Sequence, residues 1–141
     1  MKKSILIAII LVIFVIAIWG IYSIFTGFGT SYSVQGVKIK VESQGSGAAA
    51  KAGDIVTVSY TGMLTDGTKF DSSYDRNAPI TFLLGEDKVI KGFDIGVTGM
   101  KVGEKRKITI PSDLAYGSTS FAGIPPNSIL VYEVELVSIS Q

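Results

Sequence analysis

Apolar residues change their spacing along this chain, and each spacing predicts a different element. Residues 5–25 form a run of 21 with no charge and an apolar majority on every face. At about 1.5 Å per helical residue such a run spans a hydrocarbon core of about 30 Å, which predicts a transmembrane helix. Residues 37–42 then alternate apolar with charged side chains, as a strand does when one face is buried. The same period of two recurs over residues 55–64, with Val56, Val58 and Tyr60 on one face, and over 105–110. It returns over 129–137, where Leu130, Tyr132, Val134 and Leu136 oppose Glu133 and Glu135. Residues 80–84, set between Pro79 and Gly85, predict one further strand. Between Asp87 and Met100 the interval becomes three or four, at Val89, Ile90, Phe93, Val97 and Met100, which predicts a short helix. Gly92, Gly96 and Gly99 weaken it by up to about 1 kcal/mol each, so it persists only if packed on a sheet. The expected fold is α+β: an antiparallel sheet of about five strands with one short helix, preceded by one transmembrane helix.

Charge orients the apolar run. Lys2 and Lys3 precede it, and no charge follows until Lys38. The positive-inside rule then leaves the N-terminus cytoplasmic and the rest of the chain extracytoplasmic, with Trp19 and Tyr22 near the far interface. The chain divides into a signal anchor at residues 1–25, a flexible tether of small polar residues at 26–35 and a domain at 36–141. A buried core helix would not be apolar on every face. A cleaved signal peptide is the competing expectation, and it would leave the domain secreted.

Formal net charge is +1, from 13 basic and 12 acidic residues. With Lys2 and Lys3 set aside the balance is 11 to 12, which offers no basic face for nucleic acid. Cysteine and histidine are both absent. Thiol nucleophiles, disulfides, His-based triads and Cys/His zinc sites are thereby excluded, and the acidic residues lack the alternation of a calcium loop. No metal site or cofactor is implied. The chain does carry seven Phe and six Tyr, enough for a core and a pocket. Asp71, followed by Ser72 and Ser73, is either a turn residue capping its own backbone or an acceptor at a pocket rim. Arg76, five residues on, is placed to hold that carboxylate ionised. The run Gly103-Glu104-Lys105-Arg106-Lys107 is expected to be a turn and the solvated face of a strand.

In order, Val58-Ser59-Tyr60-Thr61-Gly62-Met63-Leu64, Asp66-Gly67 and Phe70-Asp71-Ser72-Ser73 resemble the signature of the FKBP-type peptidyl-prolyl isomerases, immunophilins that bind rapamycin. Val89-Ile90-Lys91-Gly92-Phe93, Leu114-Ala115-Tyr116-Gly117 and Gly123-Ile124-Pro125-Pro126-Asn127 follow at that family's spacing. The resemblance implies a sheet wrapped around the short helix with an apolar pocket between them. It places Tyr60, Phe70, Asp71, Ile90, Phe93 and Tyr116 in the catalytic pocket, and Arg76, Phe82, Val89, Phe121, Ile124 and Tyr132 among the substrate-binding residues. Ile90 would offer a backbone N–H and Tyr116 a hydroxyl to substrate carbonyls, over a floor formed by Phe93.

Such an activity suits the inventory. Rotation about X-Pro is held back by a resonance barrier of about 18–20 kcal/mol, and no bond breaks, so neither nucleophile nor metal is required. The implied partners are proline-containing polypeptides, with the membrane as a second partner through the N-terminal helix. Macrolides are a further implied ligand class, but Phe93 stands where the family usually has Trp, Tyr132 where Phe is common and Phe121 where a flap His is frequent. These departures weigh against tight macrolide binding. A non-catalytic module that docks proline-containing segments at the membrane surface is the alternative function.

Overall fold

A computed structural model describes residues 29–141. The expected transmembrane helix at 5–25 lies outside the described residues, among which no helix is long and apolar enough to cross a membrane. Seven strands form one antiparallel sheet: β1 (Ser31–Val34), β2 (Val37–Ser43), β3 (Ile55–Leu64), β4 (Lys69–Ser72), β5 (Ile80–Leu83), β6 (Lys105–Ile110) and β7 (Leu130–Ser140). A short helix, α1 (Lys91–Val97), precedes β6. The order across the sheet is β1-β2-β6-β7-β3-β4, and β5 pairs with the first half of β3.

Alternation decides which side of each strand meets the helix. Ile39, Val58, Ile108, Ile110, Leu130 and Leu136 are buried to 2% exposure or less, and Phe93, Val97 and Met100 close over them from α1 and its C-terminal turn. Burying an aliphatic side chain of this size contributes about 1.5–3 kcal/mol, so this one layer dominates the stability. The helix spans seven residues rather than the expected 14 or so. Val89, in a bend, and Ile90, in extended backbone, come before it and Met100 after it, so the apolar spacing marked a packed segment longer than its helical turns.

Two strands go beyond the expected five. Ser31–Val34, expected within the flexible tether, instead pairs with β2 from Ser31↔Lys40 to Val34↔Val37. Gln35 and Gly36 link the two with φ of 51° and 90°, the twin positive values that a tight two-residue hairpin turn requires. All four β1 residues are exposed, so no buried face impressed an alternation on them. β4 is four residues long and sits inside a run of turn formers.

The charged run before β6 also differs from expectation. Lys105 and Lys107 do face outward, but Glu104 and Arg106 are each only 4% exposed. They pair with each other, and the Arg106 guanidinium donates to the carbonyls of Gly96 and Thr98 at 2.8 and 3.0 Å. Arg106 follows the inward alternation of Ile108 and Ile110, and its charge is accepted inside because Glu104 neutralises it and two carbonyls at the end of α1 take its Nη1 donors.

Candidate functional site

The pocket is built where the inner face of the sheet meets the start of α1. Tyr60 on β3 and Tyr132 on β7 lie close across the sheet, through the neighbouring pairs Tyr60↔Val134 and Gly62↔Tyr132, and both rings point inward beside Phe93 of α1. Tyr132 meets Phe93 edge-on with centroids 5.0 Å apart, and Tyr60 meets each of these rings at 5.8 Å. Edge-to-face contacts of this kind add about 0.5–1.5 kcal/mol to burial and fix the tilt of each ring. The cavity they enclose is about 230 Å3 and is completed by Asp71, Ile80, Lys88, Val89, Ile90 and Tyr116.

One rim is polar. The Tyr60 hydroxyl donates to Asp71 Oδ2, Arg76 Nη1 donates to Asp71 Oδ1, and Arg76 Nη2 donates to the Tyr60 hydroxyl at 3.0 Å. This closed ring of three side chains holds the carboxylate in one orientation at the mouth. The backbone of the same segment is tied down as well. The Tyr60 N–H donates to the buried Ser73 hydroxyl at 2.8 Å, and the Ser73 N–H donates to the Tyr60 carbonyl at 2.9 Å. Asp71 thus serves as a rim acceptor held by Arg76 and Tyr60, rather than as a cap on its own backbone.

The other rim is formed by backbone and loop. Ile90 accepts from the N–H groups of Phe93 and Asp94 at 3.0 and 3.2 Å, whereas its own N–H donates to no protein acceptor among the described residues. The Tyr116 and Tyr132 hydroxyls likewise make no protein hydrogen bond among the described residues, and both line the cavity. Burial raises the pKa of both phenols, Tyr132 most strongly, with Asp71 adding to the effect in each case. Tyr60 is raised by burial and by its bond to Asp71, against the opposing pull of Arg76. At neutral pH all three hydroxyls are therefore protonated donors.

Of the twelve residues expected at the site, Tyr60, Asp71, Val89, Ile90, Phe93, Tyr116 and Tyr132 line the cavity. The other five stand around it. Phe70 and Phe82 brace the walls from behind, edge-on to Tyr132 at 5.6 Å and tilted against Phe93 at 6.0 Å. Arg76 acts at the rim through Asp71 and Tyr60. Phe121, half exposed, stacks on Tyr116 with centroids 4.5 Å apart. Ile124, only 2% exposed, roots that flap in the core, and the two-residue turn at Ala122 and Gly123 joins them. Ile80 and Lys88 were not anticipated. Ile80 opens a short strand and Lys88 directly precedes Val89, positions that no motif marks.

Residues 46–137 match the family described as FKBP-type peptidyl-prolyl cis-trans isomerase. The chain is similar to FK506-binding protein 1A of Neurospora crassa, 51% identical over 108 residues that cover 75% of this chain and 90% of that protein. It is also similar to the FK506-binding protein of Neisseria meningitidis serogroup B, 50% identical over 105 residues covering 74% and 96%. The crystal structure of FkpA from Escherichia coli superposes with a TM-score of 0.73 at 41% identity, covering 84% of this chain. That chain is the longer one, and 55% of it is matched.

Proposed function

From the premise that the chain belongs to the FKBP-type peptidyl-prolyl cis-trans isomerases, we propose that its aromatic pocket turns X-Pro bonds of polypeptides outside a membrane to which residues 5–25 anchor it. The single observation that carries the catalytic part is the pocket itself: three rings at 5.0–5.8 Å surround a cavity whose rim carries the Asp71–Arg76 ion pair. A prolyl ring seated among Tyr60, Phe93 and Tyr132 loses water around its amide, which favours the twisted, less dipolar state over the planar ones. The free N–H of Ile90 and the hydroxyl of Tyr116 hold carbonyls on either side of the twisting bond. Asp71 fixes the pose and transfers no proton. The cavity is smaller than the roughly 300–1,000 Å3 typical of drug-sized ligands, which supports a prolyl ring as the buried group.

The donors at Ile90 and Tyr116 would serve docking as well as turnover, so the two readings part at the bond rotation itself. Exchange spectroscopy on a short peptide with one X-Pro bond tests this. The protein broadens the proline-flanking resonances, and both Asp71→Ala and Phe70→Ala reduce that exchange about tenfold or more through lost positioning while the fold persists. A folded protein that leaves the lines sharp overturns the catalytic role. The anchor has its own test: full-length mass and membrane retention after alkaline wash are expected, whereas a shortened soluble product means that the segment is cleaved.

A further inference from the structure

The chain enters the domain through β1, at the edge of the sheet, and the outer face of that edge is basic. Along β2, alternation turns Val37, Ile39 and Val41 inward and Lys38 and Lys40 outward. Register sets Ser31 and Ser33 beside Lys40 and Lys38 from one side, and Lys107 and Thr109 beside the same two lysines from the other. These residues line an open hollow of about 510 Å3. Lys107 reaches Glu133 at 3.9 Å and Lys105 reaches Glu135 at 3.6 Å, but Lys38 and Lys40 form no ion pair among the described residues. Glu42, the next outward residue of β2, lies with Glu133 and Glu135 around a separate hollow away from the edge. Lys40 and Lys107 stand directly opposite each other, a like-charge pair that Glu133 offsets only from the Lys107 side.

We propose that this lysine face seats on the anionic phosphate headgroups of a bilayer and so holds the pocket, on the opposite face of the sheet, turned away from the membrane. The proposal rests on the anchor reading of residues 5–25. Because β1 begins at Ser31, only five residues separate it from Phe25, a reach of about 20 Å when fully extended. A tether that short keeps the edge hairpin next to the headgroups, and its effective concentration there lets a weak attraction decide orientation. Each lysine near an anionic surface shifts the seated population by about fivefold, and the flanking Ser31 and Thr109 hydroxyls suit phosphate oxygens. The alternation that sends Lys107 outward sends Ile108 inward, and across β7 it sends Glu133 outward and Tyr132 into the pocket. Seating and substrate access therefore use different faces.

The test uses the full-length protein in vesicles of phosphatidylcholine, alone or mixed with phosphatidylglycerol, with lysine acetylation followed residue by residue. Acetylation of Lys38 and Lys40 is expected to slow about fivefold or more in the anionic vesicles. Salt that brings the screening length toward about 3 Å restores it. Lys69 and Lys88 label equally in both vesicle types. Lys38→Gln with Lys40→Gln abolishes the lipid dependence at Lys107 and leaves isomerisation of a free peptide unchanged. Equal labelling in both vesicle types, in protein that floats with the vesicles, overturns the proposal. Protein that floats with neither overturns the anchor reading, and this proposal falls with it.

Discussion

Gly62 sits where the walls of the pocket cross, and its missing side chain is what lets them meet. A Cβ there would lie 2.7 Å from the Phe70 ring and 2.9 Å from the Tyr132 ring. Gly62→Ala therefore pushes one ring off its rotamer. The expected cost is about 1–3 kcal/mol in urea unfolding, with loss of peptide exchange. An unchanged midpoint would show that the rings yield freely. The tyrosines make a second residue-scale prediction. Burial favours the neutral phenol, so Tyr60, Tyr116 and Tyr132 all have pKa values raised above the ordinary 10.0. Stability from a raised acid is complete below the unfolded pKa near 10 and is lost as pH climbs through the folded value. Urea midpoints should thus hold steady around neutrality and fall above about pH 10. Tyr132→Phe should flatten most of that fall, because the Tyr132 phenol is the most strongly shifted of the three. An alkaline slope that survives the substitution rules out the buried phenol as its source.

At the scale of elements, α1 inverts the usual rule for glycine. A Cβ at Gly92 would stand 2.2 Å from Ile110 Cγ2, and one at Gly96 would stand 2.6 Å from Ile108 Cγ2. The glycines weaken the helix in isolation, yet they let it lie close on β6. Helix propensity alone predicts that Gly92→Ala gains about 1 kcal/mol, whereas overpacking predicts a loss of about 1–3. The loss should win, and a raised urea midpoint would sink this account. The same element marks what the sequence made legible. The spacing of Val89 to Met100 located the packed segment, and strict alternation located β2, β3, β6 and β7. β1 and β4 stayed hidden because neither has both the length and the single buried face that produce a period of two. Arg106 stayed hidden for the opposite reason. A charge at an inward position reads as solvated until its partners, Glu104 and the carbonyls ending α1, are brought near by the fold. At the candidate site, the family resemblance pointed to Tyr60, Asp71, Ile90, Phe93 and Tyr116, whereas Ile80 and Lys88 reach the cavity only through tertiary packing.

At the scale of the whole molecule, the boundary of the folded unit determines how the domain is carried. The family match begins at residue 46, but the sheet begins at Ser31. The β1 hairpin is integral to it: the Arg106 guanidinium lies 6.0 Å from the Tyr32 ring, and the Ser33 hydroxyl donates to the Val37 carbonyl at 3.1 Å. A cation–π contact at a partly exposed site contributes about 0.5–1 kcal/mol, and each ladder hydrogen bond about as much. A chain starting at residue 37 should therefore lose about 1–2 kcal/mol relative to one starting at residue 29, seen as a lower urea midpoint. Its isomerisation of a short peptide should stay within about twofold, because β1 contributes nothing to the cavity. Equal midpoints would make β1 a passive extension of the chain ahead of β2.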